Sequence, residues 1–139
     1  VQQVTVSRLL LVALGGVLGS LARFAIEQSA PLIHSTIWAT LVVNVVGCFA
    51  IGMVAARLTP ATPPWVHVFF VTGLLGGFTT FSAFAAEVVI TANDAEIGIA
   101  LLYIGATLIA GLLAVPLGVR ASALLRTTLF KTIPRRTGP

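Results

Sequence analysis

The side chains of this sequence that could do chemistry are few, and they gather at three places. The stretch from Gly73 to Glu87, GLLGGFTTFSAFAAE, combines three glycines, the adjacent pair Thr79 and Thr80, phenylalanines at 78, 81 and 84, and a closing carboxylate. Thr40, Asn44, Gly47 and Cys48 fall on one stripe at helical spacing, and Gly16, Ser20, Arg23 and Glu27 fall on another. His34 has no second histidine or cysteine near it at metal-ligand spacing. Cys48 is the only cysteine, which excludes an internal disulfide.

Each set admits a chemical reading and a plainer one. Gly73, Gly76 and Gly77 weaken a helix, and the hydroxyls of Thr79 and Thr80 can cap a restarted one, so a break is predicted near positions 76 to 79. Carbonyls freed by a break are oxygen ligands for a hard cation; the plainer alternative is an unbroken glycine-rich packing seam. Phe81 and Phe84 project to one side of a helix, with Glu87 a turn further on. An aromatic ring has a positive edge, so rings presented edge-on favour an anion, although phenylalanine pairs also serve simple packing. Asn44 needs its amide satisfied at membrane depth: it either bonds neighbouring helices together or offers its NH2 donors to a passing anion, with Thr40 on the same face. Arg23 is either an interfacial arginine paired with Glu27 or the cationic mouth of an anion path.

The elements that must position these residues are membrane helices. Of 139 residues, 58% are hydrophobic and 9% charged, and several apolar runs approach or exceed the roughly 20 residues that cross a bilayer. Four spans are expected, at about 9–26, 37–57, 65–91 and 97–125, with room for little else, so any chemistry sits between helices. The first run carries glycines and Arg23 and stays apolar to Ile26, which fits a packing span rather than a cleaved leader. LTPATPP at 58–64 divides the spans two and two. Asn93, Asp94 and Glu96 make an acidic turn into the fourth span, along which Tyr103, Thr107, Gly111, Ala114 and Gly118 share a face and Pro116 predicts a kink. Residues 127–139 read as a basic tail. The net charge of +4 comes from arginines and lysines at span ends, which act as membrane anchors and not as a nucleic-acid surface.

Taken jointly, four short spans, GGxxGSxxR in the first, NxxG in the second and GGFTTFSAFAAE in the third resemble the Fluc/CrcB family of fluoride channels over essentially the whole chain. The resemblance implies an all-α membrane domain over residues 1–126, assembled as an antiparallel dimer of oppositely oriented subunits in the plasma membrane. It implies a channel that passively exports cytoplasmic fluoride, with no enzyme activity. A structural sodium ion would be held by backbone carbonyls of Gly76 and Thr79 from both subunits. The fluoride pathway would use Asn44, Phe81 and Phe84, with Ser82, Thr80, Thr40, Tyr103 and Thr107 as polar groups beside it, and Arg23 and Glu87 at the vestibule. Ala83 and Ala85 depart from the family pattern, which has hydroxyl residues there.

Two rival classes remain to be weighed. A small multidrug-type proton antiporter has the same size, yet needs a membrane-embedded carboxylate, and the first span has none before Glu27. An accessory assembly subunit would explain the glycines and leave Asn44 unexplained. With four spans, Arg8, Arg57, Arg120, Arg126, Lys131, Arg135 and Arg136 share one side against Arg23 on the other. That bias predicts a fixed orientation with the termini cytoplasmic, and so a heterodimer with an oppositely biased paralogue; a dual-topology homodimer is the alternative.

Overall fold

In the computed structural model of the chain, the apolar runs become four helical spans, Val6–Gln28, Ile37–Ala55, Pro64–Asn93 and Ile97–Thr128, each long and apolar enough to cross a membrane. The structure describes residues 5–29, 36–93 and 96–131, so Pro31, His34, Asp94, Arg135 and Arg136 lie outside the described residues.

Helix α1 (Val6–Gln28) starts after Thr5, which is extended, and closes at Ser29, whose hydroxyl donates to Ala25 O at 3.0 Å. Helix α2 (Thr36–Ala55) ends two residues before Arg57. The Pro-rich connection stops it: Thr59 and Thr62 form a tight turn through Thr62 N–H to Thr59 O at 2.9 Å and Thr59 N–H to Thr62 Oγ1 at 2.8 Å. Pro64 then occupies the first turn of the next helix, where its missing N–H costs nothing.

The third span is a composite. A short α3 (Pro64–Val66) widens into a nine-residue π-helical stretch, His67–Leu75, returns to helix α4 (Gly76–Phe78), breaks, and resumes as α5 (Phe81–Asn93). The break falls on Thr79 and Thr80, the former extended at φ −77 and ψ 151, at the far edge of the expected window. Gly76 and Gly77 remain helical, and Gly77 is closely packed, since a methyl group there would lie 2.5 Å from Gly16 O. The π-helical stretch has no signal in the composition, since wide turns are selected by tertiary packing and not by a residue type.

Helix α6 (Ile97–Lys131) is the longest element and continues through Pro116 without interruption. It also passes the expected end near Leu125. Thr127 and Thr128 donate their hydroxyls to Leu124 O, at 2.8 and 3.1 Å, and no proline intervenes before Pro134. Its 35 residues span about 52 Å, well beyond the roughly 30 Å hydrocarbon core.

Packing follows two glycine seams. Helix α1 lies on the first half of the third span, where Gly15 and Gly19 are buried. A methyl group on Gly15 would sit 2.6 Å from Phe69 O, and one on Gly19 would overlap Leu74 O. Helix α2 lies along α6, with Gly52 against Val115 O and Gly118 against Phe49 O at equally short range. Lipid supplies no hydrophobic drive for helix association, so such backbone-to-backbone approach supplies the dispersion contacts instead. Helix α5 packs against both α2 and α6. The leucines and valines left exposed along α1 and α6 are suited to acyl chains.

Candidate functional site

The break in the third span is held open by one side chain. Asn44, close to the middle of α2, pairs with the backbone of Thr80 twice: its Nδ2 donates to Thr80 O at 3.1 Å, and Thr80 N–H donates to its Oδ1 at 2.9 Å. An amide side chain matches a peptide group donor for acceptor, so it replaces the helical partners that Thr80 has lost. The neighbouring cap works the same way, with Ala83 N–H donating to Thr80 Oγ1 at 3.2 Å.

These substitutions have a consequence for two carbonyls. In an unbroken helix Thr80 N–H would close on Gly76 O, and Ala83 N–H would close on Thr79 O. Both donors are engaged elsewhere, on Asn44 and on Thr80 Oγ1. Gly76 O and Thr79 O are thereby released from helical bonding at mid-span. They are the two oxygens that the sequence resemblance assigned to a cation, and hard carbonyl oxygens are the right donors for one.

Beside the break lies a cavity of about 270 Å³ lined by Asn44, Cys48, Thr80, Phe81, Phe84 and Leu108, among others. Phe81 and Phe84 stand with ring centroids 5.8 Å apart and planes at 45°, and Phe84 continues to Tyr103 at 5.3 Å and 50°. The three rings form a ladder from the exposed edge of α5 to the interior of α6. Phe81 is 79% exposed, and Tyr103 only 1%.

Behind the ladder a carboxylate is held by two hydroxyls. Thr40 Oγ1 donates to Glu87 Oε1 and Tyr103 OH donates to Glu87 Oε2, both at 2.7 Å. Three helices, α2, α5 and α6, each contribute one of these groups, and Thr40 and Tyr103 are fully buried. The carboxyl group is half-buried, and each of its oxygens is given a hydrogen-bond partner by one hydroxyl.

The remaining predicted residues divide. Thr80 Oγ1 and Ser82 Oγ stand 3.2 Å apart at the open edge of the break. Thr107 Oγ1 is buried with no hydrogen-bond partner among the described residues. Arg23 pairs with Glu27 at 3.1 Å, on the α1 face where a second cavity is lined by Gly16, Ser20 and Phe24. Ser20 Oγ donates to Gly77 O at 3.3 Å. The structure therefore does not bring Arg23 and Glu87 together: one belongs to the α1 surface, the other to the network behind the rings.

A model of the family described as CrcB-like protein, Camphor Resistance (CrcB), matches residues 10–119. The chain belongs to the CrcB family. Among curated relatives, the Fluoride-specific ion channel FluC of Thermus thermophilus is 42% identical over 123 residues, covering 86% of this chain and 97% of its own length. That of Methylobacillus flagellatus is 40% identical over 117 residues, covering 80% and 91%. The Fluoride-specific ion channel FluC 2 of Nocardia farcinica is 42% identical over 117 residues, covering 82% and 84%. This CrcB-family chain is a multi-pass protein of the plasma membrane and not an enzyme.

Two features of the CrcB-family site escaped the sequence. The pair of hydrogen bonds between Asn44 and Thr80 was hidden because the side chain and the break are 36 residues apart; a mid-span asparagine paired with a glycine-threonine interruption on another span is the signal that could have found it. The Thr40–Glu87–Tyr103 contact was hidden likewise, since three residues on three helices share no local spacing.

Proposed function

We propose that this chain is a subunit of a fluoride-selective channel through which cytoplasmic fluoride leaves the cell passively. The observation that carries the reading is the clamp of Asn44 on Thr80 beside the Phe81–Phe84 pair. It leaves polar N–H, hydroxyl and ring-edge groups around a mid-span cavity with no full positive charge among the described residues that line it. Fluoride is small and strongly hydrated, so a pore must replace its water with close donors and still let it go. Partial charges meet both demands, whereas a buried lysine or arginine would trap the ion. The relatives named as fluoride-specific channels support the ion assignment. A proton-coupled drug exporter is disfavoured, because Glu27 is engaged by Arg23 and Glu87 by two hydroxyls.

The functional unit is an antiparallel dimer. Gly76, Phe81 and Ser82 are exposed on a single chain although they flank a mid-span break. Irregular backbone at that depth cannot face lipid; it is covered by protein or lines a water-filled cavity, and a second subunit provides the cover. A second subunit laid over the break brings a second pair of released carbonyls to Gly76 O and Thr79 O. Those oxygens would hold a sodium ion, whose positive charge would fasten the two breaks together and stabilise the dimer. Asn44 and Thr80 fix the backbone that presents the carbonyls; the rings and hydroxyls line the path. In acidic surroundings HF enters as a neutral acid and dissociates inside, and the channel returns the anion.

Efflux from liposomes reconstituted with the wild-type protein and with Phe81→Ile tests the reading. Fluoride efflux with negligible chloride efflux is expected from the wild type and a loss of at least about tenfold from the variant; no fluoride efflux from well-folded wild-type protein overturns it. The skew of arginine and lysine toward one side favours one insertion orientation and a paralogous partner. Labelling of a cysteine placed at Thr5, from one side of intact cells, reads this directly, and equal labelling from both sides would favour the dual-topology homodimer.

A further inference from the structure

We propose that the cavity beside Arg57 is a binding site for one anionic glycerophospholipid, with its phosphate on the Arg57 guanidinium and an acyl chain along Met53, Val54, Val66 and Phe70. The cavity measures about 310 Å³ and is apolar apart from Arg57 and Thr62. It lies outside the Asn44 cavity and shares no residue with it.

The arginine is oriented for such a ligand. Arg57 follows the end of α2, at the depth where a span gives way to headgroups, in a turn closed by Arg57 N–H to Val54 O at 2.9 Å. Its Nε donates to Ser122 Oγ at 2.6 Å, and its NH2 group donates to Ser122 O at 3.4 Å. Ser122 is 2% exposed, so this anchor is fixed in the α2–α6 interface. One edge of the planar guanidinium is thus pinned, and its other N–H donors remain for a ligand. A fork held in this way loses little freedom on binding an anionic oxygen pair.

Charge at this end of the bundle is uncompensated. The sequence has four acidic residues, Glu27, Glu87, Asp94 and Glu96, and none lies on the C-terminal part of α2, the 58–63 connection or α6 beyond its first residues. Arg126 is one helical turn past Ser122 on the same face, and it and Arg120 are exposed. Free phosphate would satisfy the charge and leave the apolar wall of the cavity in contact with water. A phospholipid satisfies both, which is why the lipid is the occupant.

Native mass spectrometry of the full chain, stripped of lipid in detergent and titrated with phosphatidylglycerol or phosphatidylcholine, tests the assignment. The wild type is expected to retain phosphatidylglycerol about fivefold more than phosphatidylcholine, as one basic group at a membrane surface provides. Arg57→Gln should bring the two lipids to parity. Val54→Trp, which fills the apolar wall and keeps the charge, should lower retention of both lipids, and inorganic phosphate should not displace phosphatidylglycerol. Equal retention of the two lipids by the wild type, undiminished preference in Arg57→Gln, unchanged retention in Val54→Trp, or displacement by inorganic phosphate would each overturn it. If Arg57→Gln does not yield monodisperse protein, the wild-type preference, the phosphate competition and Val54→Trp decide the matter.

Discussion

The two halves of the third span are held by different forces. The first half, His67 to Phe78, meets α1 through backbone: Gly15, Gly19, Gly73 and Gly77 let main chains touch, and the Ser20 hydroxyl adds a bond to Gly77 O. The second half, Phe81 to Asn93, meets α2 and α6 through side chains: the Asn44 amide at its start, the ring ladder, and Glu87 between Thr40 and Tyr103. Steric contact between backbones has no slack, whereas hydrogen bonds and ring contacts tolerate small adjustment. A rigid first half can thus fix where the break lies while the second half presents the polar groups. The division also gives Gly77 its place directly beside the break: it packs on Gly16 and serves the scaffold, and Asn44 serves the opening.

Attacking the scaffold should have the largest effect. Gly19→Leu forces a side chain into Leu74 O and Phe78 N, and should cost about 3 kcal/mol or more, seen as loss of the monodisperse peak in size-exclusion chromatography. Gly98→Ala, where an added methyl group meets nothing within 4 Å, should elute as the wild type does. Normal elution of Gly19→Leu would mean that the seam is not close-packed and that the contrast between the halves is false.

Breaking the polar half should spare assembly and damage transport. Asn44→Ala removes both bonds to Thr80, each worth about 1 to 3 kcal/mol when a buried group loses its partner. Liposome flux should fall by at least about tenfold while the protein still elutes as a single species. Full flux would show that Thr80 keeps its geometry without Asn44.

The smallest change sharpens the comparison instead of breaking it. Ala83 and Ala85 are half-buried on the α5 side of the break, where the resemblance in sequence leads to an expectation of hydroxyls. Ala83→Thr adds one polar group next to the Thr80–Ser82 pair, and should alter fluoride flux by about fivefold or less, the worth of one neutral hydrogen bond. A larger change would place Ala83 at the step that limits conduction.

The sequence by itself determined the spans, the prolines that separate them, the interruption after Gly76 and the family. These depend on local properties: apolar length, the missing N–H of proline, the weak helix preference of glycine and threonine, and a motif written contiguously in the third span. It also placed Thr40 and Asn44 on one stripe of α2 and Tyr103 and Thr107 on one face of α6, because helical periodicity is local too.

Tertiary structure alone decided which partners those stripes meet. Asn44 turned out to bond both the N–H and the C=O of Thr80, which frees Gly76 O, and the Thr80 hydroxyl takes Ala83 N–H, which frees Thr79 O, so that the break falls on Thr79 and Thr80. It drew Glu87 between two hydroxyls, left Arg23 on the α1 face with Glu27, and joined Arg57 to Ser122 across 65 positions. A helix stripe states which residues face the same way. What they face is set by how the four spans pack, through close glycine contacts between segments far apart in the chain, and no local pattern encodes that.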